Sequence, residues 1–117
     1  MGLLADITVA VVILLHVYFL ILEMFFWDKP LGLKVFKQTA ESAAASKILA
    51  ANQGLYNGFL AAGLLWGLFL GSEGAQVKIF FLTCITIAGI YGGITANRKI
   101  LYVQALPAIV ALLLLHV

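Results

Sequence analysis

The sequence predicts an all-α, polytopic membrane protein: a compact four-transmembrane-helix bundle with its N- and C-termini on the non-cytoplasmic side. Three observations predict it. The 117 residues are 64% hydrophobic and 10% charged, with a mean hydropathy of +1.12, whereas a soluble domain is about 45–50% apolar and about 25% charged. So little polar surface cannot cover a globule in water. Apolar stretches recur at roughly 3–27, 45–70, 77–97 and 100–117, each reaching or approaching the ~20 residues that cross ~30 Å of hydrocarbon. None alternates with the period of two expected of barrel strands, and without water to satisfy backbone groups the spans must be helices.

The first helix, about 3–27, carries His16 and Glu23 inside its apolar run. No Lys or Arg precedes that run and no small-residue cleavage site follows it, so it reads as a mature span rather than a signal peptide. "WDKPLGLKVFKQTAES" breaks the pattern, with a loop over about 28–39. Pro30 and Gly32 are expected to form a turn. Leu33, Val35 and Phe36, set among Lys34 and Lys37, suit a segment lying on the bilayer surface, with a simple tether as the alternative. Thr39 is the expected N-cap of the second helix, about 40–70, with Glu41 in its first turn. "GSEGAQ" separates this helix from the third, about 77–97, and "NRK" makes a tight hairpin into the fourth, about 100–117. Pro107 is placed to kink that last helix. No internal repeat is visible, and the chain reads as a single transmembrane domain, 1–117.

Basic residues set the orientation. Lys29, Lys34, Lys37 and Lys47 belong to the first loop and its edge, and Arg98 and Lys99 to the third. These loops share a side, and the opposite side holds only Lys78. The positive-inside rule makes both loops cytoplasmic, in what is expected to be the bacterial cytoplasmic membrane. Trp27 and Trp66 fall near span ends, where aromatic belts lie. Small residues recur at spacing four as Gly54–Gly58 and Gly63–Gly67–Gly71 in the second helix and Gly89–Gly93 in the third. Such spacing lets backbones approach closely. The neighbour is either within the chain or in a second copy, which leaves a homodimer open.

Several function classes lack their signatures. The net charge of +2 is small and scattered, so no nucleic-acid partner is expected. Cys84 is the one cysteine and reads as a small packing residue. His16 and His116 stand at opposite ends of the chain without metal-ligand spacing, and His116 reads as an interfacial end residue. There is no phosphate-cradling glycine loop, CxxC, nucleophile elbow or HExxH, and no readable catalytic triad. No metal, cofactor or catalytic residue is assigned.

What remains is a set of polar residues within the spans. Glu23 lies about one turn from the cytoplasmic end of helix one, with His16 ~10.5 Å deeper on nearly the same face. Asn52, Gln53, Tyr56 and Asn57 crowd into the start of helix two, over an arc of about 140°. Tyr91 and Gln104 come from helices three and four at a similar depth, and Arg98 stands at the rim. An ionisable residue in a span is a functional candidate because its burial is costly. These nine residues are the candidate ligand-binding set: Glu23, Asn52, Gln53, Tyr56, Asn57, Tyr91, Gln104, His16 and Arg98. Plainer readings stand beside it. The carboxamides can simply bond between helices, at ~0.6–2 kcal/mol each. Glu23 can snorkel or pair with Lys47, Arg98 or Lys99. His16 can be a proton relay, a haem ligand or a neutral ring bonded to a helix-two carboxamide.

The blocks "HVYFLILEMFFW", "LAANQGLYNGFLAAGLLWG" and "GIYGGITANRKILYVQALPA" together resemble the small bacterial and fungal membrane proteins catalogued as domain of unknown function 1304. The resemblance covers nearly the whole chain. It implies an integral membrane protein of about this length with four helices, and it brings no established activity. The leading expectation is a non-enzymatic protein of the lipid bilayer that binds or moves a small molecule or lipid headgroup. An intramembrane enzyme using Glu23 or His16 as acid or base, and a structural subunit without a ligand, are the alternatives.

Overall fold

The computed structural model describes residues 2–117. Six α-helices follow in order: α1 (Leu3–Phe25), α2 (Pro30–Phe36), α3 (Ala40–Phe69), α4 (Ala75–Thr95), α5 (Arg98–Ile100) and α6 (Leu106–Leu115). A 3₁₀ turn, Gly71–Gly74, leads into α4, and a π turn, Leu101–Ala105, joins α5 to α6. Three stretches are long and apolar enough to cross a membrane: Leu3–Phe25, Gly71–Thr95 and Arg98–Leu115. The expected fourth span, α3, has the length at 30 residues but is not among them. Its carboxamides at 52, 53 and 57 dilute its apolar character.

Local chemistry explains most helix ends. Thr39 caps α3 as expected, its Oγ1 accepting from the Ser42 N–H at 3.0 Å. Pro30 and Gly32, expected as a turn, lie inside α2 instead. Pro at the first helical position loses no hydrogen bond, since that N–H has no intrahelical partner. Gly32 is buried, and a Cβ there would run into the backbone of Phe26 and Trp27. The helix stops at Lys37, in the left-handed region at φ 52°, while the Gln38 N–H returns to the Leu33 carbonyl at 3.0 Å. Asn97 Oδ1 caps α5 by accepting from the Lys99 N–H at 2.9 Å.

The chain forms two compact units. His16–Phe59 comprises the second half of α1, all of α2 and the first part of α3. Here Gly54 and Gly58 turn bare backbone toward α1. A Cβ at Gly58 would lie 2.6 Å from Leu20 Cδ1, and one at Gly54 would lie 2.7 Å from Met24 Cγ. The Trp27 ring packs on Phe36 with centroids 4.8 Å apart, and Trp27 Nε1 donates to Ser46 Oγ at 3.1 Å. Lys47 Nζ stands 3.1 Å from Asp28 Oδ2. That hydrogen bond holds the Asp28 carboxyl below its ordinary value of 3.8.

The other unit takes the chain up to Leu15 together with Leu60–Val117. Its core is Val9, Val12, Leu64, Leu82, Ile85, Ala108 and Ala111. Several of its glycines also meet neighbours within the chain. Gly63 faces the Phe81 ring, Gly89 faces Ala105 and Gly93 faces Leu101. The π turn falls just before Pro107, where the sequence places a helix distortion. A proline has no N–H for the carbonyl four residues back and crowds it with its ring. One residue earlier, the Leu106 N–H bonds the Leu101 carbonyl, a five-residue step.

Candidate functional site

Helical periodicity puts His16 and Glu23, seven residues apart, on one stripe of α1. Both are buried, with Glu23 only 5% exposed. Close approach of α3 makes this burial feasible, because a Cβ on Gly54 would lie 3.1 Å from Glu23 Cβ. The same approach delivers hydrogen-bond donors. Asn57 Nδ2 donates to Glu23 Oε1 at 2.7 Å, and Gln53 Nε2 donates to Glu23 Oε2 at 3.3 Å. Gln53 and Asn57 are four apart on α3, so their side chains project side by side and form a fork around the carboxyl group. A buried carboxyl costs free energy unless its oxygens find donors. Here each oxygen has one, and the Asn57 bond is the shorter.

The structure thus joins three of the nine sequence candidates directly. Asn52 and Tyr56 occupy the same stretch of α3 but are exposed, Tyr56 by 60%. The Tyr56 ring instead lies 6.1 Å from that of Phe59. His16 lies two turns from Glu23 along α1 and is 2% exposed. In the other unit, Tyr91 is exposed on α4, Gln104 is half-buried within the π turn, and Arg98 is exposed at the start of α5. Glu23 does not snorkel, and Lys47, weighed as its partner, engages Asp28. Among the described residues no group of three or more His, Cys, Asp or Glu could hold a metal ion.

Sequence reasoning used Lys78 only to set orientation, yet Lys78 is 6% exposed. Its Nζ stands 3.6 Å from Asp6 Oδ1, and both line a cleft of about 320 Å³. One signal was available: Lys78 falls inside an apolar stretch, one residue from its start at 77.

Fold and site define the class: an all-helical protein, three of its helices apolar enough to cross a membrane, with a buried carboxyl group forked between two carboxamides. The chain belongs to the family described as "Protein of unknown function (DUF1304)", which matches residues 10–116. It is similar to the uncharacterized protein YpaA of Lactococcus lactis subsp. lactis (strain IL1403). The two are 33% identical over 98 residues, covering 82% of each chain. No solved structure matches.

Proposed function

We propose that this chain is an integral protein of the bacterial cytoplasmic membrane that binds, and in a larger assembly moves, a small molecule or lipid headgroup at Glu23. The carrying observation is the Glu23 fork, with the carboxyl buried and both oxygens met by Gln53 and Asn57. An intramembrane carboxyl is costly to keep unless it serves a ligand or proton path. Glu23 is two residues from the end of α1 at Phe25, a depth that suits contact with lipid headgroups. A carboxyl acceptor selects ligands bearing N–H or O–H donors or a positive charge.

In this reading α3 is the fourth span and both termini are non-cytoplasmic, in line with the basic residues at 29, 34, 37, 98 and 99. Native mass spectrometry of protein extracted from its own membrane tests the reading. One defined co-purifying species is expected, lost in Glu23→Gln. A wild-type chain without any bound species, or equal retention in Glu23→Gln, would overturn it. Topology is tested by thiol labelling of Lys34→Cys in a Cys84→Ser background. Labelling by an impermeant reagent from outside intact cells would reverse the orientation.

A further inference from the structure

Lys78 is an unexpected residue to find buried. A lysine near the end of a span ordinarily extends its stem and keeps its ammonium in water. Here the fold provides a slot for the stem. Gly67 has no side chain, and a Cβ placed on it would stand 2.6 Å from Lys78 Cγ. Gly74 closes the slot, since a Cβ there would collide with the Gly67 backbone. The stem is thereby laid along α3, and the ammonium is held at the cleft.

An ammonium carries three donors. Among the described residues, the Lys78 ammonium meets one carboxylate oxygen, Asp6 Oδ1, at the long distance of 3.6 Å. Asp6 itself is half exposed. Beside this pair lie the apolar walls Ala5, Leu68, Ala75 and Leu115. Apolar walls with a few convergent polar groups are the common make-up of a ligand site, and about 320 Å³ falls within the ~300–1,000 Å³ of such sites. The cleft also has a definite depth. Ala5, Asp6, Ala75 and Lys78 belong to the first two turns of the spans Leu3–Phe25 and Gly71–Thr95, and Leu115 ends the span Arg98–Leu115. That is the level of the headgroups.

We infer that the Asp6–Lys78 cleft binds a zwitterionic phosphoethanolamine group, with its phosphate on Lys78 and its ammonium on Asp6. The fixed pair presents one positive and one negative charge to a ligand that carries both in reverse. Neither a plain anion nor a plain cation uses both. The inference does not rest on the Glu23 site, which lies in the other unit.

The test uses the full chain in detergent, exposed to an equimolar mixture of phosphatidylethanolamine, phosphatidylcholine and phosphatidylglycerol and read by native mass spectrometry. Preferential retention of phosphatidylethanolamine is expected. Lys78→Met keeps the stem and should lower that retention by about tenfold or more. Asp6→Asn should shift the preference toward phosphatidylglycerol, because Lys78 then has no competing charge. The double exchange Asp6→Lys with Lys78→Glu keeps opposite charges across the pair. It should still lose phosphatidylethanolamine, whose phosphate is fixed in orientation by its acyl chains. Phosphorus NMR with free phosphoethanolamine separates the sources: binding assigns a soluble ligand, and its absence beside lipid retention assigns the membrane. Equal retention of the three lipids by the wild type, or unchanged retention in Lys78→Met or in the double exchange, would overturn the inference. Glu23→Gln should leave it untouched.

Discussion

Replacing Asn57 by leucine removes one donor while nearly preserving side-chain volume, so the loss reports on the fork rather than on packing. Two scales bound the cost. A hydrogen bond to a charged partner contributes ~1.5–3 kcal/mol in soluble proteins, whereas interhelical bonds in membrane proteins average ~0.6 and reach ~1.7 kcal/mol. The geometry places Asn57 high in the second range. Its bond is short at 2.7 Å, and the oxygen it serves belongs to a side chain 5% exposed. Removing it strands that oxygen, for a loss of about 1.5 kcal/mol. Gln53→Leu should cost less, about 0.5 kcal/mol, because its bond is 3.3 Å long and Gln53 is exposed. In Glu23→Leu with Asn57→Leu no oxygen is left stranded, so the double variant should be more stable than the sum of the singles by about 1 kcal/mol. Equilibrium unfolding in mixed micelles titrated with SDS measures all four members of the cycle. A coupling below about 0.3–0.5 kcal/mol, the level at which independent sites add, would show that the fork does not hold these helices. Equal losses for Gln53→Leu and Asn57→Leu would refute the ranking by geometry.

Two further outcomes follow from particular contacts. Gly74→Ala should destabilise by about 3 kcal/mol or more, since the added methyl meets Gly67 backbone that no rotamer can move, whereas Gly92→Ala should cost under about 1 kcal/mol because Ile100 Cγ2, 3.1 Å from the new Cβ, can give way; thermal melts of the two variants decide this. Asp28, whose carboxyl Lys47 holds below 3.8, binds its proton less readily in the folded state than in the unfolded chain. The pair's stabilisation is therefore complete above the unfolded value and fades as pH falls through the lower folded one. In Lys47→Met an NMR titration should show the Asp28 midpoint rising toward the ordinary value, and an unchanged midpoint would remove Lys47 as the cause.

The polar cluster shows where the sequence could be read and where it could not. Periodicity puts Gln53 and Asn57 on one face and Asn52 and Tyr56 on another, but it does not say which face turns inward. In the structure the Gly54–Gly58 face meets α1. Measured from Gly54 at ~100° per residue, Asn57 and Gln53 are about 60° and 100° away, while Asn52 and Tyr56 are both about 160° away. The first two therefore reach Glu23, and the other two point outward. The arc of four polar residues was legible, and the choice among them needed the glycine contact. Lys78 entered the sequence reading only through its charge, as a sign of orientation. Its burial depends on the slot formed by Gly67, from α3, and Gly74, one turn before it.

Composition and apolar run lengths determined that the chain is helical and rich in membrane-length segments, because backbone groups in lipid leave no other structure open. They also located the capping of α3 at Thr39 and the distortion near Pro107, which depend on residues adjacent in the chain. The tertiary structure alone decided that two of four neighbouring polar side chains grip Glu23, and that Lys78 is buried beside Asp6. Each of these turns on which backbone comes close to which side chain, a distance between segments that no local pattern encodes.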